Sequence, residues 1–197
     1  MTWQRCRGLI ASDLWRHAGT LGVRTFWSRF LTTPGFRYTV LLRLYAWARE
    51  NLWCRLGVRQ VIVLLLHRYS IRFGIDISRD ARIGSGLYIG HFGGIVVNQG
   101  VVIGDNCNLS HGVTLGQSNR GERAGCPVIG SNVYIAPGAK IIGRIRIGDH
   151  AAIGANAVVI QDVEPSTTVG GIPARPLSES GSAGYVNRTD YPAVAPR

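Results

Sequence analysis

A six-residue repeat constrains this chain more than any other feature of its sequence. Between positions 129 and 159 an isoleucine or valine recurs at every sixth position, and the residue four places beyond each is also apolar or small. The members are Ile129, Ile135, Ile141, Ile147, Ile153 and Val159, accompanied by Val133, Ala139, Ile145, Ala151 and Ala157. A period of six fits neither a helix face nor plain strand alternation. Repeats this short bury their apolar positions only by stacking, so the sequence predicts a parallel β-helix.

The repeat also sets the limits of the predicted coil. It can be followed upstream to Ile71, with two residues in addition to the period of six inserted before Val97. We call this insertion the slip of two. Between Leu115 and Ile129 the step is fourteen residues, which is not a multiple of six, and residues 117–127 are polar and rich in turn formers. We therefore expect a loop over these residues, and loops on a rigid scaffold often carry binding residues.

Three parts of the chain follow from these limits. The sequence predicts a basic, aromatic helical region over residues 1–70 and the β-helix with its loop over residues 71–177. Residues 178–197 are rich in Ser, Gly and Pro and have no period, so a disordered tail is expected there. Within the helical region, residues 11–30 could form one helix capped by Ser12 or Asp13, although glycines inside it weaken the prediction.

The net charge of +11 is concentrated in the helical region. Residues 1–73 hold twelve Arg against Asp13 and Glu50, and they also carry all five Trp. Two roles fit this composition: a cap that covers one end of the β-helix and helps subunits associate, or a peripheral contact of residues 1–70 with anionic lipid headgroups. No recognised nucleic-acid motif accompanies the charge, so we expect no nucleic-acid partner.

The cysteines and the N-terminus bear on the compartment. Four Cys lie far apart without the spacing of a metal site, which favours reduced thiols. The N-terminus lacks an apolar segment followed by a cleavage site, so no signal peptide is predicted. We expect a cytoplasmic protein, which would lie at the inner face of the membrane if the lipid contact forms.

Two histidines occupy equivalent places in the repeat. His91 lies two residues after Ile89 and His111 lies two residues after Leu109, and their separation of twenty equals one coil of eighteen plus the slip of two. Both are therefore expected on the same side, one coil apart, with coils spaced by about 4.8 Å. Asp76 precedes His91 by fifteen residues and can approach it from the coil below.

A carboxylate behind an imidazole can act as a general base. The carboxylate fixes the tautomer and stabilises the imidazolium that forms when the ring takes a proton from an attacking hydroxyl. A histidine in a solenoid also serves as a corner or stacking residue. The spacing alone therefore leaves both roles open for His91 and His111.

Longer motifs around these residues resemble the serine acetyltransferase family of hexapeptide-repeat acyltransferases. The resemblance covers residues 33–177 and rests on TPGFRYTVLLRLYAW before the repeats, GIDISRDARIGSGLYIGHFGGIVV across Asp76 and His91, HGVTLG from His111, and GGIPARP near the end. It implies a left-handed parallel β-helix, a homotrimer with active sites between neighbouring subunits, and acetyl-CoA as the donor. It also implies that His91 is the base and that Asp76 orients it.

The same resemblance implies a donor site made largely by backbone in the coils. The matching positions are Thr114, Gly116, Ala136, Pro137 and, in the closing GGIPAR segment, Arg175. Lys140 lies near them in the sequence, and a cation there would suit a CoA phosphate. A solvated edge of the coil explains Lys140 equally well.

The acceptor side departs from the family pattern. Gly90 stands where the family has an Asp before the catalytic His, and Gly125 and Cys126 replace the usual Arg-His pair. A site without those charged groups should bind a zwitterion poorly. The pattern is more similar to acetyltransferases of exopolysaccharide clusters, of the colanic-acid type. That implies O-acetyl transfer to a sugar hydroxyl on a small-molecule or lipid-linked acceptor, with His111, Gly90 and Cys126 as candidate acceptor-binding residues.

Other functions compete with this one. The alternative is the serine O-acetyltransferase of cysteine biosynthesis, and a more remote one is a non-catalytic scaffold, against which Asp76, His91 and the closing segment argue. Hexapeptide β-helices also include carbonic anhydrases in which three His bind zinc. Here His150 is the only other His in the coils and no two lie four or five residues apart, so no metal site is expected.

Overall fold

A computed structural model describes residues 1–51, 54 and 57–193, and its N-terminal part is helical. The helices are α1 (Trp3–Ala18), α2 (Val23–Thr32), α3 (Pro34–Glu50) and α4 (Val58–Phe73). α1 ends where Gly19 has a φ of 70°, in the left-handed conformation that glycine adopts without strain. The single helix expected over residues 11–30 is therefore wrong, because this glycine separates α1 from α2.

Short strands follow the helices in regular succession. They are β1 (Ile75–Ile77), β2 (Arg82–Ile83), β3 (Ile95–Val97), β4 (Val102–Ile103), β5 (Asn108–Leu109), β6 (Thr114–Gly116), β7 (Val128–Ile129), β8 (Tyr134–Ile135), β9 (Lys140–Ile142), β10 (Arg146–Ile147), β11 (Ala152–Ile153), β12 (Val158–Val159), β13 (Thr168–Gly171) and β14 (Ala174–Ser178). Residues 117–127 connect β6 to β7, and Ser118 and Gly125 form a bridge across the base of this loop.

The chain visits three sheets in turn, so that each coil adds strands to all of them. The sheet orders are β1-β3-β6-β9-β12, β2-β4-β7-β10 and β5-β8-β11-β13-β14. Neighbouring strands pair in parallel, and β14 closes the last sheet antiparallel to β13. This arrangement is the parallel β-helix that the six-residue repeat predicts.

The repeated apolar residues fill the interior of the coil. The six from Ile129 to Val159 are each at most 2% exposed, and they stack in register one coil apart. Burying each such side chain contributes about 1.5–3 kcal/mol. Ile71 is different, since it lies in α4 with 74% of its surface exposed. The coil therefore begins at β1 and not at Ile71, because α4 continues to Phe73 and ends at Gly74 in the left-handed conformation.

The slip of two residues lies in one corner of the first coil. β1 pairs with β3 at an offset of twenty residues, whereas β3 pairs with β6 at an offset of eighteen. The corner between Ile89 and Val97 is therefore two residues longer than the one between Leu109 and Leu115. His91 lies in this longer corner.

The helical region packs on the first coil, and a buried ion pair of Asp13 and Arg43 helps to hold it there. Asp13 is completely buried, and its carboxylate accepts hydrogen bonds from Arg43 Nε at 3.0 Å, Arg43 Nη2 at 3.2 Å and the Leu87 backbone N–H at 2.8 Å. The expected capping role of Ser12 or Asp13 is wrong, because both residues lie inside α1 and face the coil. Side chains of α3 and α4 also join the hydrophobic core of the coil.

The C-terminal residues depart from the expectation of disorder. Residues 179–193 lie along the coil and α1, whereas residues 194–197 lie outside the described residues. Tyr185 stacks on Tyr134 with ring centroids 4.4 Å apart, and the Trp15 indole N–H donates to Asp190 at 3.0 Å. The composition is rich in small residues, but its few aromatic and acidic side chains supply anchors that a count of Ser, Gly and Pro overlooks.

The surface of α2 would suit the predicted lipid contact. No helix within the described residues is long and apolar enough to cross a membrane. On α2, however, Val23, Trp27 and Leu31 are spaced four residues apart and are each more than half exposed, with Arg24 and Arg29 beside them. Peripheral membrane contact through residues 1–70 stays a prediction.

Candidate active site

The two histidines singled out by the repeat lie next to each other. His91 is exposed in the long corner before β3, and His111 lies in the corresponding corner before β6. Their ring centroids are 6.1 Å apart with an interplanar angle of 86°. The two extra residues of the first corner are Phe92 and Gly93, which follow His91, since Gly94 stacks on Gly112 of the next corner. They therefore do not separate the two rings.

Asp76 does not contact His91 within the chain. It lies in β1, where it pairs with Val96, and its side chain faces away from the core. It lines a cleft of about 650 Å³ together with Asn98 and Gly116, whereas His91 lines another cleft. No hydrogen bond or ion pair joins Asp76 to His91 in the described part of the chain. The role of Asp76 as the residue that orients the base stays a prediction.

Of the other candidate acceptor residues, Gly90 lines the smaller cleft and Cys126 lines neither. Gly90 lies beside His91 in the smaller cleft of about 260 Å³. Cys126, at the end of the loop, packs against Gly100 and directs its thiol at Asn98 Oδ1, 3.3 Å away, on the side of the Asp76 cleft. The chain therefore brings together Gly90, His91 and His111 but not Cys126.

Most of the candidate donor residues share one face of the coil. Thr114 in β6 pairs with Lys140 in β9, and Gly116 pairs with Ile142 two residues further along the same strands. The Lys140 ammonium donates a hydrogen bond to the carbonyl oxygen of Gly112. Since that bond uses one of its three donors, the ammonium keeps capacity for a phosphate oxygen.

Of the remaining candidate donor residues, two lie next to this face and one lies away from it. Ala136 and Pro137 form the corner that leads into β9, so they adjoin it. Arg175 lies apart, in β14 at the end of the coil, where it lines a cleft of about 450 Å³ with Asp162 and Glu164. The structure thus groups four of the candidate donor residues and Lys140, while Arg175 belongs to another surface of the chain.

A buried polar group behind the smaller cleft was missed by the sequence reasoning. His17 on α1 is 7% exposed, with Nδ1 2.8 Å from the Asp13 carbonyl oxygen and Nε2 3.3 Å from the Ile89 carbonyl oxygen. Burial lowers the pKa of this imidazole. Gly35 at the start of α3 also touches Ile89, where a side chain would collide with the carbonyl. The helices therefore hold the segment that leads directly into His91.

One signal in the sequence pointed to this group. Ser12, Asp13, Arg16 and His17 recur at the spacing of one helix face, so α1 carries a polar stripe. A polar stripe is ordinarily solvated, and nothing in the sequence says that this one is buried against Gly86, Leu87 and Ile89. Only the packing of α1 on the coil reveals it.

The fold and the site define a class of protein. Residues 126–161 match the bacterial transferase hexapeptide family, described as six repeats. The coil with histidines at its corners is thus that of a hexapeptide-repeat transferase.

Comparisons with known proteins narrow the class. Over 151 residues the chain is 37% identical to the serine acetyltransferase of Synechococcus elongatus, covering 77% of this chain and 60% of that protein. It is 38% identical over 152 residues to the Salmonella typhimurium serine acetyltransferase, covering 77% of this chain and 54% of the relative. The chain thus spans little more than half the length of these curated relatives.

Solved structures give the same answer. Neisseria gonorrhoeae serine acetyltransferase in complex with serine matches with a TM-score of 0.73 and 35% identity, over 89% of this chain and 70% of that one. The Brucella abortus enzyme in complex with coenzyme A matches with a TM-score of 0.71 and 34% identity, over 89% and 67% of the two chains. This chain belongs to the serine acetyltransferase family.

Proposed function

We propose that this chain is an acetyl-CoA-dependent O-acetyltransferase whose acceptor is L-serine. The observation that carries the proposal is the exposed His91, paired with His111 at the corner of a coil that is 35% identical to an enzyme solved with serine. The sequence interpretation that preferred a sugar acceptor finds no support among these relatives, which are serine acetyltransferases. We therefore replace the hypothesis of a sugar acceptor in exopolysaccharide synthesis with the alternative hypothesis that the acceptor is L-serine.

The proposed chemistry is direct transfer. His91 takes the proton from the serine hydroxyl as its oxygen attacks the thioester carbonyl carbon, which gives a tetrahedral oxyanion. Backbone N–H groups at the coil corners are suited to stabilise that charge. When the intermediate collapses, the C–S bond breaks and the imidazolium returns its proton to the thiolate, so that O-acetylserine and CoA leave with His91 neutral again.

Residues on the face of β6 and β9 are proposed to hold the donor. Thr114, Gly116 and Pro137 are partly exposed beside the buried Ala136, and Lys140 can offer an ammonium to a phosphate. Arg175 lines a separate cleft at the end of the coil, and we propose that a neighbouring subunit brings it to the donor. We retain it in the proposal on that basis.

A left-handed coil assembled as a homotrimer completes the proposal. Asp76, Cys126 and Arg175 lie apart from His91 in one chain, as expected if each active site combines residues of two subunits. Val96, Val128 and Ile160 on the outside of the coil are each at least 40% exposed, which supplies apolar surface for such contacts. Light scattering should give a mass near three times 21.4 kDa, and a monomer at micromolar concentration would contradict the shared site.

The decisive experiment for the function is acetyl-CoA-dependent release of CoA by the purified protein. We expect release with L-serine, and none above background with nucleotide-linked or lipid-linked sugars supplied in parallel reactions. Mass spectrometry should identify O-acetylserine as the product. Turnover with a sugar acceptor and not with serine would contradict the proposal and restore the interpretation based on Gly90 and Cys126.

A further inference from the structure

The cleft that contains His91 is lined by uncharged groups. Apart from His91 its hydrogen-bonding side chains are three tyrosines, two asparagines and one serine: Tyr88, Tyr134, Tyr185, Asn108, Asn187 and Ser110. The described lining holds neither a carboxylate nor a lysine or arginine. If an amino acid binds beside His91, two kinds of group can therefore recognise its charges. One is the uncharged hydrogen-bonding side chains that line the cleft, and the other is charged residues buried behind that lining.

Tyr88 fills the space beside the candidate base. A Cβ atom placed on Gly90 would come within 2.9 Å of both Cε1 and Oη of Tyr88. The phenol thus lies over the residue next to His91, where a side chain at position 90 would otherwise stand. Glycine at this position is what allows the tyrosine to lie there.

Two side chains of α1 hold the phenol ring in place. The His17 ring centroid is 4.6 Å from that of Tyr88, and the Arg16 guanidinium carbon is 5.8 Å from it. The backbone of Tyr88 is fixed as well, since its N–H donates to Cys107 at 2.9 Å and its carbonyl accepts from Leu109 at 2.9 Å. The hydroxyl is therefore positioned before any ligand arrives.

Arg16 places an uncompensated positive charge behind this wall. It is 1% exposed and donates to the Gly86 carbonyl at 3.2 Å and to the side-chain oxygen of Asn108. Asp13, the carboxylate on the same face of α1, is engaged by Arg43. Among the described residues Arg16 has no ion-pair partner, and its Nη1 has no hydrogen-bond partner. A buried cation of this kind favours an anionic group in the adjoining cleft.

We propose that Tyr88 determines acceptor specificity, because its hydroxyl donates a hydrogen bond to the carboxylate of an amino-acid acceptor while His91 takes the proton from the acceptor's own hydroxyl. The positive field of Arg16 strengthens that donation and draws the carboxylate toward Tyr88 and Asn108. The proposal rests on the proposed function and adds to it the residue that recognises the carboxylate of the acceptor.

The test is the Tyr88→Phe variant, which removes one hydroxyl and leaves the ring. Its KM for L-serine should rise by about 10- to 100-fold, the range for a hydrogen bond to a charged group, with the KM for acetyl-CoA unchanged. Tyr69→Phe, a change of the same kind on α4 outside this cleft, should leave both constants unchanged. Ethanolamine lacks the carboxylate, so its constant, measured as an acceptor or as a competitive inhibitor, should be the same in wild type and Tyr88→Phe.

Other results would overturn the proposal. An unchanged KM for serine in Tyr88→Phe, or an equal loss with ethanolamine, would show that the hydroxyl does not recognise the carboxylate. Asn108→Asp is an independent check if Tyr88→Phe folds poorly, because a carboxylate beside Arg16 cancels its field and should also raise the KM for serine.

The proposed function and this inference can fail separately. If the wild-type protein binds L-serine without acetylating it, the function is wrong, and the change in Kd caused by Tyr88→Phe still decides the role of the hydroxyl. If calorimetry detects no binding of L-serine, the proposed recognition of a carboxylate is overturned together with the function.

Discussion

His91→Ala is expected to lower kcat for acetyl transfer by a factor on the order of 100 to 10,000, the range for loss of a general base. Without the imidazole the serine hydroxyl must lose its proton to water as it attacks. His91 is exposed and contributes little to the core, so thermal unfolding of the variant should match that of the wild type. The measurement is the rate of CoA release at saturating concentrations of both substrates.

A second histidine at a coil corner provides the control. His150 lies in another corner with a φ of 60°, a conformation that asparagine tolerates, so His150→Asn should keep normal turnover. His111→Ala separates the two candidates, because its ring is only 6.1 Å from that of His91. If His91→Ala retains near-normal kcat while His111→Ala loses it, the base is His111 and our assignment is wrong.

Asp13→Ala is expected to lower the free energy of unfolding by about 3–5 kcal/mol, the cost of leaving one partner of a buried ion pair uncompensated. Asp13 is completely buried, and its removal would also leave the Leu87 N–H without its acceptor. The measurement is urea denaturation at a fixed protein concentration, since subunit association would make stability depend on that concentration.

An exposed ion pair gives the matched comparison. Asp80 accepts a hydrogen bond from Arg49 at 2.9 Å, but the two side chains are 64% and 44% exposed. Asp80→Ala should therefore cost no more than about 1 kcal/mol. Equal effects of the two substitutions would show that the Asp13 pair does not anchor the helical region to the coil.

The two largest predictions are linked through α1. Asp13 anchors the helix that also carries Arg16 and His17, and those side chains contact Tyr88 and the carbonyl of Ile89 beside the candidate base. The helical region is thus part of the candidate site as well as a cover for the coil. A substitution that loosens α1 should for this reason disturb acceptor binding before it disturbs the coils near the C-terminus.

The architecture of the β-helix could be predicted from the sequence because every six-residue repeat buries its apolar residue in the same environment. A residue such as Ile141 is buried by residues one coil away, and every coil repeats that environment, so the period alone identifies the interior. The same spacing brought His91 and His111 to neighbouring corners. The prediction failed at Ile71, where the last turn of α4 happens to carry an isoleucine at the expected position.

The candidate site could be predicted only in part. The repeat and the family motifs indicated His91 and its neighbours, but they did not reveal that Asp76 lines a different cleft or that Cys126 lies against Asn98 and Gly100. They also treated Gly90 as the loss of a charged group, whereas the tertiary structure shows a tyrosine two residues earlier in that space.

The sequence by itself determined the β-helix and the position of two of its corner histidines, His91 and His111. The reason is that the six-residue period alone shows which residues of successive coils stack on each other. What only the tertiary structure decided are the contacts between segments without a common period. Asp13 meets Arg43 and Leu87, Tyr185 meets Tyr134, and Arg16 lies behind Tyr88 and Asn108. Each of these depends on how α1 and the C-terminal segment pack against the coil, and no spacing along the chain specifies that packing.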